Sequence, residues 1–414
     1  MGKERKIKTN GRISKIGSYA IASSMPMRDH RQQPSITCTT FNILAPMYKR
    51  INLGRNQNSR ESDCRVYWLA RSNRILDSLL RERSCIICLQ EFWLGNEELV
   101  SMYEKRLGDA GYVNFQLGRT NNRGDGLLTA VRKDYFRVIN YRELLFNDCG
   151  DRVAQLLHVE LASPFSQFLN NNDICLEILI VSTHLLFPHD SSLCLVRLHQ
   201  VYKILQYLEF VSERMQAQPN ADYTLRWVSH RNHCGNICGV DFIWLLNPNK
   251  YRKLLKTSWT DAVFGMFKYL LRRASLTEED AFAFLKADIN GDCITYYGFC
   301  EALRQLNLTG RCHGLSVEET KDLWVQADVD GNGLDYKEFQ HRIWNPESAE
   351  QNDQINNEDQ NGFPEDGQEQ AIGLRVESAV LFPPEVEKGR WPENYFLSDH
   401  ARLTVVFSPI TMPC

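Results

Sequence analysis

Polar residues of the types that bind metals and transfer protons stand at the ends of several apolar runs. They are Asn42 in "TFNILAP", Glu91 in "CLQEFW", His184 in "VSTHLLFPH", Asp241 in "GVDFIWL", and Asp399 and His400 in "LSDHARLTVV". A single carboxylate after a buried strand is commonly a structural group whose hydrogen bonds are satisfied. Several strands that each bring such a residue to one end indicate a layered domain with a reactive site.

These residue types suit the hydrolysis of a phosphodiester. A hard carboxylate such as Glu91 can hold Mg²⁺ (or Mn²⁺) against a phosphate oxygen. Histidines can carry a proton or stabilise developing negative charge, and an aspartate beside a histidine fixes its tautomer.

A second group of oxygen ligands lies in two similar units within residues 276–346, each reading helix, acidic loop, helix. This is a paired EF-hand pattern. In the second loop, "DVDGNGLDYKEF", the candidate Ca²⁺ ligands are Asp328, Asp330, Asn332, Asp335 and Glu338. The loop is one residue short after Gly333, which predicts loss of the apolar residue that pairs the two loops.

The first loop has fewer candidate ligands, Asp288, Asn290 and Asp292. Cys293 replaces the pivot glycine, and Gly298 or Phe299 falls where the closing glutamate belongs. Because ligand charge sets Ca²⁺ affinity, the sequence favours binding at the second loop over the first. A helix-pair scaffold that no longer responds to Ca²⁺ is the alternative.

An amphipathic segment, "AVFGMFKYLLRRAS", precedes the two units and carries basic residues beside its apolar ones. EF-hand grooves bind helices of this kind, so Ca²⁺-dependent intramolecular docking is one hypothesis. An ordinary core-facing helix is the other.

The elements that position the polar residues follow from apolar periodicity. Strands are predicted over residues 35–46, 85–93, 126–133, 152–161, 174–186, 237–246 and 401–409, and helices over 66–84 and 194–215. Apolar strands mixed with helices indicate an α+β layered domain.

Composition limits the class of protein. The 414 residues are 43% hydrophobic and 24% charged with a net charge of −3, which is typical of a globular protein without a general attraction for nucleic acid. No run of eighteen apolar residues occurs, so no membrane span is predicted. Thirteen scattered cysteines favour free thiols in a reducing compartment, the cytoplasm or nucleus. The cluster His230, His233, Cys234 and Cys238 contains zinc-binding residue types without a standard paired spacing.

Two segments read as flexible. Residues 1–35 form a basic tail, for which an organelle transit peptide is the alternative. Residues 347–372 read as an acidic disordered linker, since 347–370 hold eight acids and no lysine or arginine.

The ordered motifs "TFNILAP", "CLQEFW", "STHLLFPH…RLHQ", "VDFIWL" and "SDHARL" resemble the endonuclease/exonuclease/phosphatase superfamily. The "FNILAP" opening is most similar to its deadenylase and 2′-phosphodiesterase branch, and the inserted EF-hand pair is similar to plant calcium-binding members. The resemblance covers roughly residues 36–408. It implies a four-layered α/β sandwich of two packed mixed sheets flanked by helices. That domain would comprise residues 36–258 and 373–410, with a helix and an all-α EF-hand pair inserted at 259–346.

The resemblance also implies roles for the six polar residues. Glu91 would bind Mg²⁺, Asn42 would orient metal or phosphate, and Asp399 would assist the metal site. His184 would contact the scissile phosphate. His400 would stabilise the phosphorane or assist proton transfer, and Asp241 would orient His400. The implied substrate is RNA or a nucleotide-like phosphodiester.

One expected motif is missing. The superfamily places Gly-Asp-x-Asn between the "THL" and "DFI" motifs, but the interval from His184 to Asp241 contains only Asp190 and Asp222, neither followed by such an asparagine. Two hypotheses follow: a Mg²⁺-dependent phosphodiesterase with a calcium-binding insertion, or a catalytically inactive nuclease fold that acts as a calcium-responsive binding module. A lipid or inositol phosphatase fits "FNILAP" and "CLQEFW" less well.

Overall fold

The computed structural model describes most of the chain from residue 34 to residue 413. The described ranges are 34–51, 59–162, 165, 177–187, 191–211, 229–232, 234–247, 255–286, 291–310, 313–345 and 370–413. Nearly all of the predicted basic tail and acidic linker, together with Asp288 and Asn290, lie outside them.

Eleven strands occur in the described part of the chain. They are β1 (Ile36–Asn42), β2 (Ile86–Trp93), β3 (Tyr112–Gly118), β4 (Asp125–Arg132), β5 (Phe136–Leu145), β6 (Val153–Leu161), β7 (Glu177–Thr183), β8 (His230–Arg231), β9 (Ile237–Cys238), β10 (Gln370–Phe382) and β11 (Arg402–Pro413). Strand β10 begins inside the segment predicted as a linker.

Eight α-helices occur in the described part of the chain. They are α1 (Arg65–Glu82), α2 (Glu97–Asp109), α3 (Ser191–Val211), α4 (Leu255–Arg273), α5 (Glu278–Lys286), α6 (Tyr296–Gln305), α7 (Val317–Ala327) and α8 (Tyr336–Phe339), which continues as a π-helical turn over Gln340–Trp344. None of the helices in the described ranges is both long and apolar enough to cross a membrane.

The first sheet holds six of the described strands, in the order β10-β11-β1-β2-β4-β3. Strand β1 runs parallel to β2, and the other neighbours pair antiparallel. Asn42 pairs with Gln90 at the ends of β1 and β2. Because parallel strands deliver their carboxyl ends to one edge of a sheet, Asn42 and the following Glu91 meet there.

The second sheet has the order β5-β6-β7 and is antiparallel throughout its described part. It packs face to face on the first sheet through a shared apolar core that includes Val131 of β4 and Val159 of β6. A buried hydrogen bond from Thr129 Oγ1 to Gln155 Oε1, 2.7 Å long, crosses between the sheets.

Helices cover the outer faces of both sheets. Helices α1 and α2 bury residues such as Leu76 and Tyr103 against the first sheet, and α3 packs Val196 against β6 of the second. The order helix, sheet, sheet, helix makes the domain a four-layered α/β sandwich, as predicted.

The strand predicted over residues 237–246 is largely wrong. Only Ile237–Cys238 is a strand, paired with β8, and residues 241–247 have no regular structure although Ile243 and Leu245 pack on the shared core. A strand needs a neighbour for its backbone groups. Here the N–H groups of Val240 and Asp241 donate instead to the Ser229 hydroxyl, at 2.9 and 3.1 Å.

The helical part between α4 and the π-helical turn has its own core. It buries Phe267, Leu285, Phe299 and Leu323, which come from four different helices. Leu195 of α3 belongs to this core as well, one residue before Val196. Helix α3 therefore packs on the second sheet and on the helical part at once.

Candidate functional site

Glu91 is presented by a β-bulge in strand β2. The register with β4 shifts between Gln90 and Phe92, which leaves Glu91 unpaired and in the left-handed region with φ 55°. For a residue with a Cβ this conformation costs about 1–2 kcal/mol. Bulges of this kind redirect a side chain, and here the redirected group is a carboxylate at the sheet edge.

The strand opposite the bulge carries a glycine, Gly126, that lets its other neighbour, β3, approach closely. Phe92 pairs with Gly126, where a Cβ atom would lie 2.1 Å from the backbone oxygen of Leu117. No side chain fits at Gly126 without moving β3.

Asn42 links Glu91 to His400. Its Oδ1 accepts a hydrogen bond from the backbone N–H of Leu44 at 3.0 Å, which orients the amide. Its Nδ2 then donates to Glu91 Oε1 at 2.9 Å and lies 3.3 Å from His400 Nε2. The Glu91 Oε2 atom accepts from the Ala45 backbone N–H at 3.3 Å. Burial raises the pKa of Glu91, although the Asn42 hydrogen bond and the charge of His400 partly offset this.

His400 is held by Asp241. Its Nδ1 lies 2.9 Å and 3.2 Å from the two carboxylate oxygens of Asp241. Burial alone would lower the pKa of His400, but the charge and hydrogen bond of Asp241 outweigh it and the pKa is raised. Because a carboxylate only accepts, Nδ1 carries a proton in either charge state, and Nε2 is the atom that gains or loses the second proton.

Asp399 contacts a histidine that the motif analysis did not assign to the site. His230 Nε2 lies 3.8 Å from Asp399 Oδ2, and the His230 and His400 ring centroids are 4.4 Å apart. Burial would raise the pKa of Asp399, but His230 and His400 reverse this and lower it. The sequence showed His230 only as part of a Cys/His cluster, since its contacts with Asp399 and His400 join residues about 170 positions apart.

His184 lies just after β7 and faces an arginine. Its Nδ1 is 3.0 Å from Arg152 Nη1, and burial, followed by the Arg152 charge, holds its pKa well below the usual value. The imidazole is therefore neutral near pH 7. Since arginine only donates, Nδ1 accepts and Nε2 carries a proton that can be donated. The charge of His400 also lowers this pKa, so the two imidazoles interact.

A cluster of arginines and aspartates beside His184 was missed by the sequence reading. Arg119 Nη2 and Arg123 Nε bind the two oxygens of Asp151 at 2.6 and 2.7 Å, and Arg119 Nη1 lies 3.4 Å from the buried Asp125. The Arg123 side chain is 58% exposed, so it remains open to an anion. The loops "GRTNNRGDG" and "CGDR", rich in arginine and glycine before apolar strands, were the available signal.

A buried ion pair supports the loops around Asn42 and Asp399. The Arg71 guanidinium binds the Glu61 carboxylate at 2.5–3.0 Å, with Arg71 5% and Glu61 3% exposed. It also donates to the backbone oxygens of Ile43, Leu44 and Leu397 at 2.6–2.8 Å. One side chain thus positions the segments that follow Asn42 and precede Asp399.

The second acidic loop brings together three of its five predicted ligands. Asp328, Asp330 and Glu338 can each place an oxygen within 4.8 Å of the others. Asn332 donates to Asp330 through its backbone and side chain, and Asp335 is the N-cap of α8, accepting from Glu338 N at 2.7 Å.

The apolar residue expected to be lost from this loop is present. Leu334 forms an antiparallel bridge with Ile294 of the first loop, with N–O distances of 2.8 and 3.0 Å. The short loop therefore keeps its pairing residue, and the missing position lies between Gly333 and Leu334. The prediction that the pairing residue was lost is therefore wrong. The missing position is the one before Leu334, and Leu334 keeps its backbone bridge to Ile294.

The first loop does not have a closing carboxylate. Gly298 occupies the place of Glu338, because its N–H bonds to the N-cap Thr295 as that of Glu338 bonds to Asp335. A Cβ at Gly298 would lie 2.5 Å from the Leu285 backbone oxygen. Of the three predicted ligands of this loop, Asp292 is described, and it is exposed.

Helix α4, the amphipathic segment of the sequence, packs on both helix–loop–helix units. It buries Val263, Phe264 and Phe267 in their common core. The units also contact α3 through a 3.1 Å hydrogen bond between His199 Nε2 and Glu319 Oε1. In the same helix, Gln200 accepts from the N–H of Leu186, two residues after His184.

Comparisons with known proteins give two kinds of similarity, to solved structures and to a curated protein. No model of a known protein family matches the chain. Its fold is similar to a crystal structure of ANGEL2, a 2′,3′-cyclic phosphatase, with 16% identity and a TM-score of 0.33 over 49% of this chain and 51% of that one. It is also similar to the human Nocturnin catalytic domain, with 18% identity and a TM-score of 0.32 over 44% and 60%. A Bacteroides thetaiotaomicron endonuclease/exonuclease/phosphatase family protein matches with 15% identity and a TM-score of 0.31 over 44% and 59%. The chain thus spans half to 60% of the length of these solved chains.

One curated relative matches along almost the whole chain. It is the Arabidopsis thaliana protein named "Uncharacterized calcium-binding protein At1g02270", which is 54% identical over 420 residues, or 92% of this chain and 86% of the relative. At this identity and coverage, the chain belongs to the same family as that Arabidopsis protein.

Proposed function

We propose that the chain is a metal-dependent phosphodiesterase of the endonuclease/exonuclease/phosphatase superfamily that acts on RNA or a nucleotide-like phosphodiester. The observation that carries the proposal is the Asn42 amide, which joins Glu91 to His400 while Asp241 holds the far side of the same imidazole. Packing alone does not require this arrangement, which places two largely buried carboxylates and an imidazole at one sheet edge.

The donor set fits a hard divalent cation. Burial raises the pKa of Glu91, and a bound cation would keep this carboxylate ionised. Glu91 would hold the ion, with Asp399 assisting across the site. Mg²⁺ or Mn²⁺ bound there would supply Lewis-acid polarisation of a phosphate oxygen.

The remaining residues have roles that follow from their protonation. His184, neutral and protonated on Nε2, would donate to a phosphate oxygen. His400 would take or hold a proton on Nε2, with Asp241 stabilising the imidazolium. Arg123 and Arg152 would attract the phosphate groups of the substrate, because both sit at the Asp151 cluster beside His184.

The test is Mg²⁺-dependent cleavage of poly(A), mixed RNA and a 2′,3′-cyclic nucleotide by the wild-type protein and Glu91→Gln. Glu91→Gln should lose activity because the amide cannot hold the cation. Glu98→Gln, an exposed glutamate on α2, is the matched control and should retain it. Equal activity of wild type and Glu91→Gln would refute the proposal.

A second candidate is a catalytically inactive, calcium-responsive binding module. It is favoured by the absence of Gly-Asp-x-Asn between His184 and Asp241. By the resemblance, the aspartate of that motif would activate the attacking water, and loss of a general base costs roughly 10²–10⁴-fold in rate. RNA binding without turnover in either protein would support this candidate.

We also infer that the second acidic loop binds Ca²⁺ and the first does not. The convergence of Asp328, Asp330 and Glu338 supports binding at the second loop. Gly298, which has no side chain at the place of the closing carboxylate, argues against a seven-coordinate ion at the first. Titration by calorimetry should give one Ca²⁺ per chain, and two sites of similar affinity would contradict the inference.

A further inference from the structure

Three potential ligands for a transition metal meet beside Asn42. His230, Asp399 and His400 can each place one ligand atom within 4.8 Å of the others. They come from two chain segments that are joined by backbone hydrogen bonds, so their approach is part of the fold.

The backbone pairing explains why the two imidazoles lie on one side. Arg231 N donates to Asp399 O at 2.9 Å, and Ala401 N donates to Ser229 O at 2.6 Å. These bonds lie on either side of His230 and His400. The two histidines are therefore directly opposed residues of an antiparallel bridge, in the position where the two backbones exchange no hydrogen bond. In such pairs the side chains come closest, with Cα atoms about 4.5 Å apart.

The outer nitrogen of each imidazole already has a partner. Asp241 engages His400 Nδ1 at 2.9 Å, and the Cys238 Sγ atom lies 3.6 Å from His230 Nδ1. The two Nε2 atoms are therefore the ones that face Asp399 and the site. Histidines that bind metals typically have their second nitrogen oriented in this way by a carboxylate or another polar group.

We propose that His230, Asp399 and His400 form a binding site for Zn²⁺. Two imidazoles and one carboxylate favour Zn²⁺ over Mg²⁺, because nitrogen ligands discriminate against hard cations. Ligand atoms around a tetrahedral zinc ion lie about 3.4 Å apart, so the side chains close by about 1.4 Å or less when the ion binds. Three protein ligands leave the fourth position open.

The location of the site gives the ion a regulatory effect. His400 Nε2 is the atom that contacts the Asn42 amide, so the ion displaces that contact and removes a free imidazole and Asp399 from the hydrolytic site. Zn²⁺ therefore inhibits the Mg²⁺-dependent reaction. This consequence rests on the proposed function, whereas the binding itself does not.

The binding test uses the full chain without any substrate. Calorimetric titration with Zn²⁺ in excess Ca²⁺ and Mg²⁺ should show one tight site, and Co²⁺ should give the visible spectrum of a four-coordinate ion without a thiolate charge-transfer band. His230→Asn should weaken binding by at least about tenfold, since even an outer partner of a metal ligand contributes 10–100-fold. His158→Asn, a histidine on the second sheet paired with Glu177, is the matched control and should bind as the wild type does.

A separate measurement does not depend on variants. Zn²⁺ should protect His230 and His400 from carbethoxylation, as mapped by mass spectrometry, while His158 stays reactive. Three results would each overturn the site. They are the absence of tight Zn²⁺ binding, unchanged Zn²⁺ binding in His230→Asn, and a thiolate band together with loss of binding in Cys238→Ser. Zn²⁺ inhibition that is relieved in His230→Asn would support its effect, and binding by a protein without any turnover would fail the proposed function alone.

Discussion

Replacing Arg71 with methionine tests how the loops of the candidate site are held. The change removes the buried partner of Glu61 and the donors to three backbone oxygens. Three hydrogen bonds at about 1 kcal/mol each account for about 3 kcal/mol. Breaking a buried ion pair at one partner typically costs about 3–5 kcal/mol in total, and we expect about 4 kcal/mol less free energy of unfolding.

Urea unfolding followed by tryptophan fluorescence measures this loss. Arg65→Met is the matched control, because Arg65 lies on the same helix and pairs with Glu98 at the surface, where the two side chains are 61% and 47% exposed. The control should unfold at nearly the wild-type urea concentration. A loss below about 1 kcal/mol for Arg71→Met would refute the assignment of Arg71 as the support of these loops.

Three further predictions concern the helical part. Glu338→Gln should weaken Ca²⁺ binding by at least about tenfold in calorimetry, because it removes the charge of the closing ligand; unchanged affinity would exclude the second loop. Gly298→Ala should lower the free energy of unfolding by about 1–3 kcal/mol, since its Cβ meets a backbone oxygen at 2.5 Å. Gly265→Ala, whose Cβ has nothing within 4 Å, should raise the free energy of unfolding by about 0.5–1 kcal/mol. A Gly298→Ala protein more stable than Gly265→Ala would contradict this packing. The hydrogen bond from His199 lowers the pKa of Glu319 to about 2. This stabilisation is present above the unfolded value of about 4.3 and is lost as the pH falls towards 2. Glu319→Gln keeps the helix cap, so its deficit in urea unfolding should shrink over that range, and a constant deficit would refute the role of the charge.

Local patterns in the sequence predicted the interior strands, and the edge strand β7, well. Strands β1, β2, β4, β6 and β7 all coincide with predicted apolar runs, and the polar residues at their ends, such as Asn42 and Glu91, point to the same edge. Apart from the two-residue strand β8, the strands that were not predicted are β3, β5 and β10, which lie at the edges of the two sheets. An edge strand is partly exposed, so its residues need not form an apolar run.

Contacts between distant segments could not be read from the sequence. The pairing of His230 with His400, and of Arg119 with Asp151, depends on which strands become neighbours, and residue type alone does not determine this. The register of the second acidic loop is a smaller case of the same kind. Counting residues placed the missing position correctly, just after Gly333, but wrongly took the pairing residue as lost, whereas the bridge between Ile294 and Leu334 shows that it is kept.

The position of α3 between two cores has a consequence for how the protein could evolve or be shortened. Excising the helical insertion would leave Leu195 and Tyr202 of α3 without their apolar neighbours and would expose an apolar patch on the sandwich. A protein trimmed to the two sheets should therefore aggregate unless these residues are replaced by polar ones. Because α3 contributes to both cores, neither the helical insertion nor the sandwich is easily lost in evolution without the other.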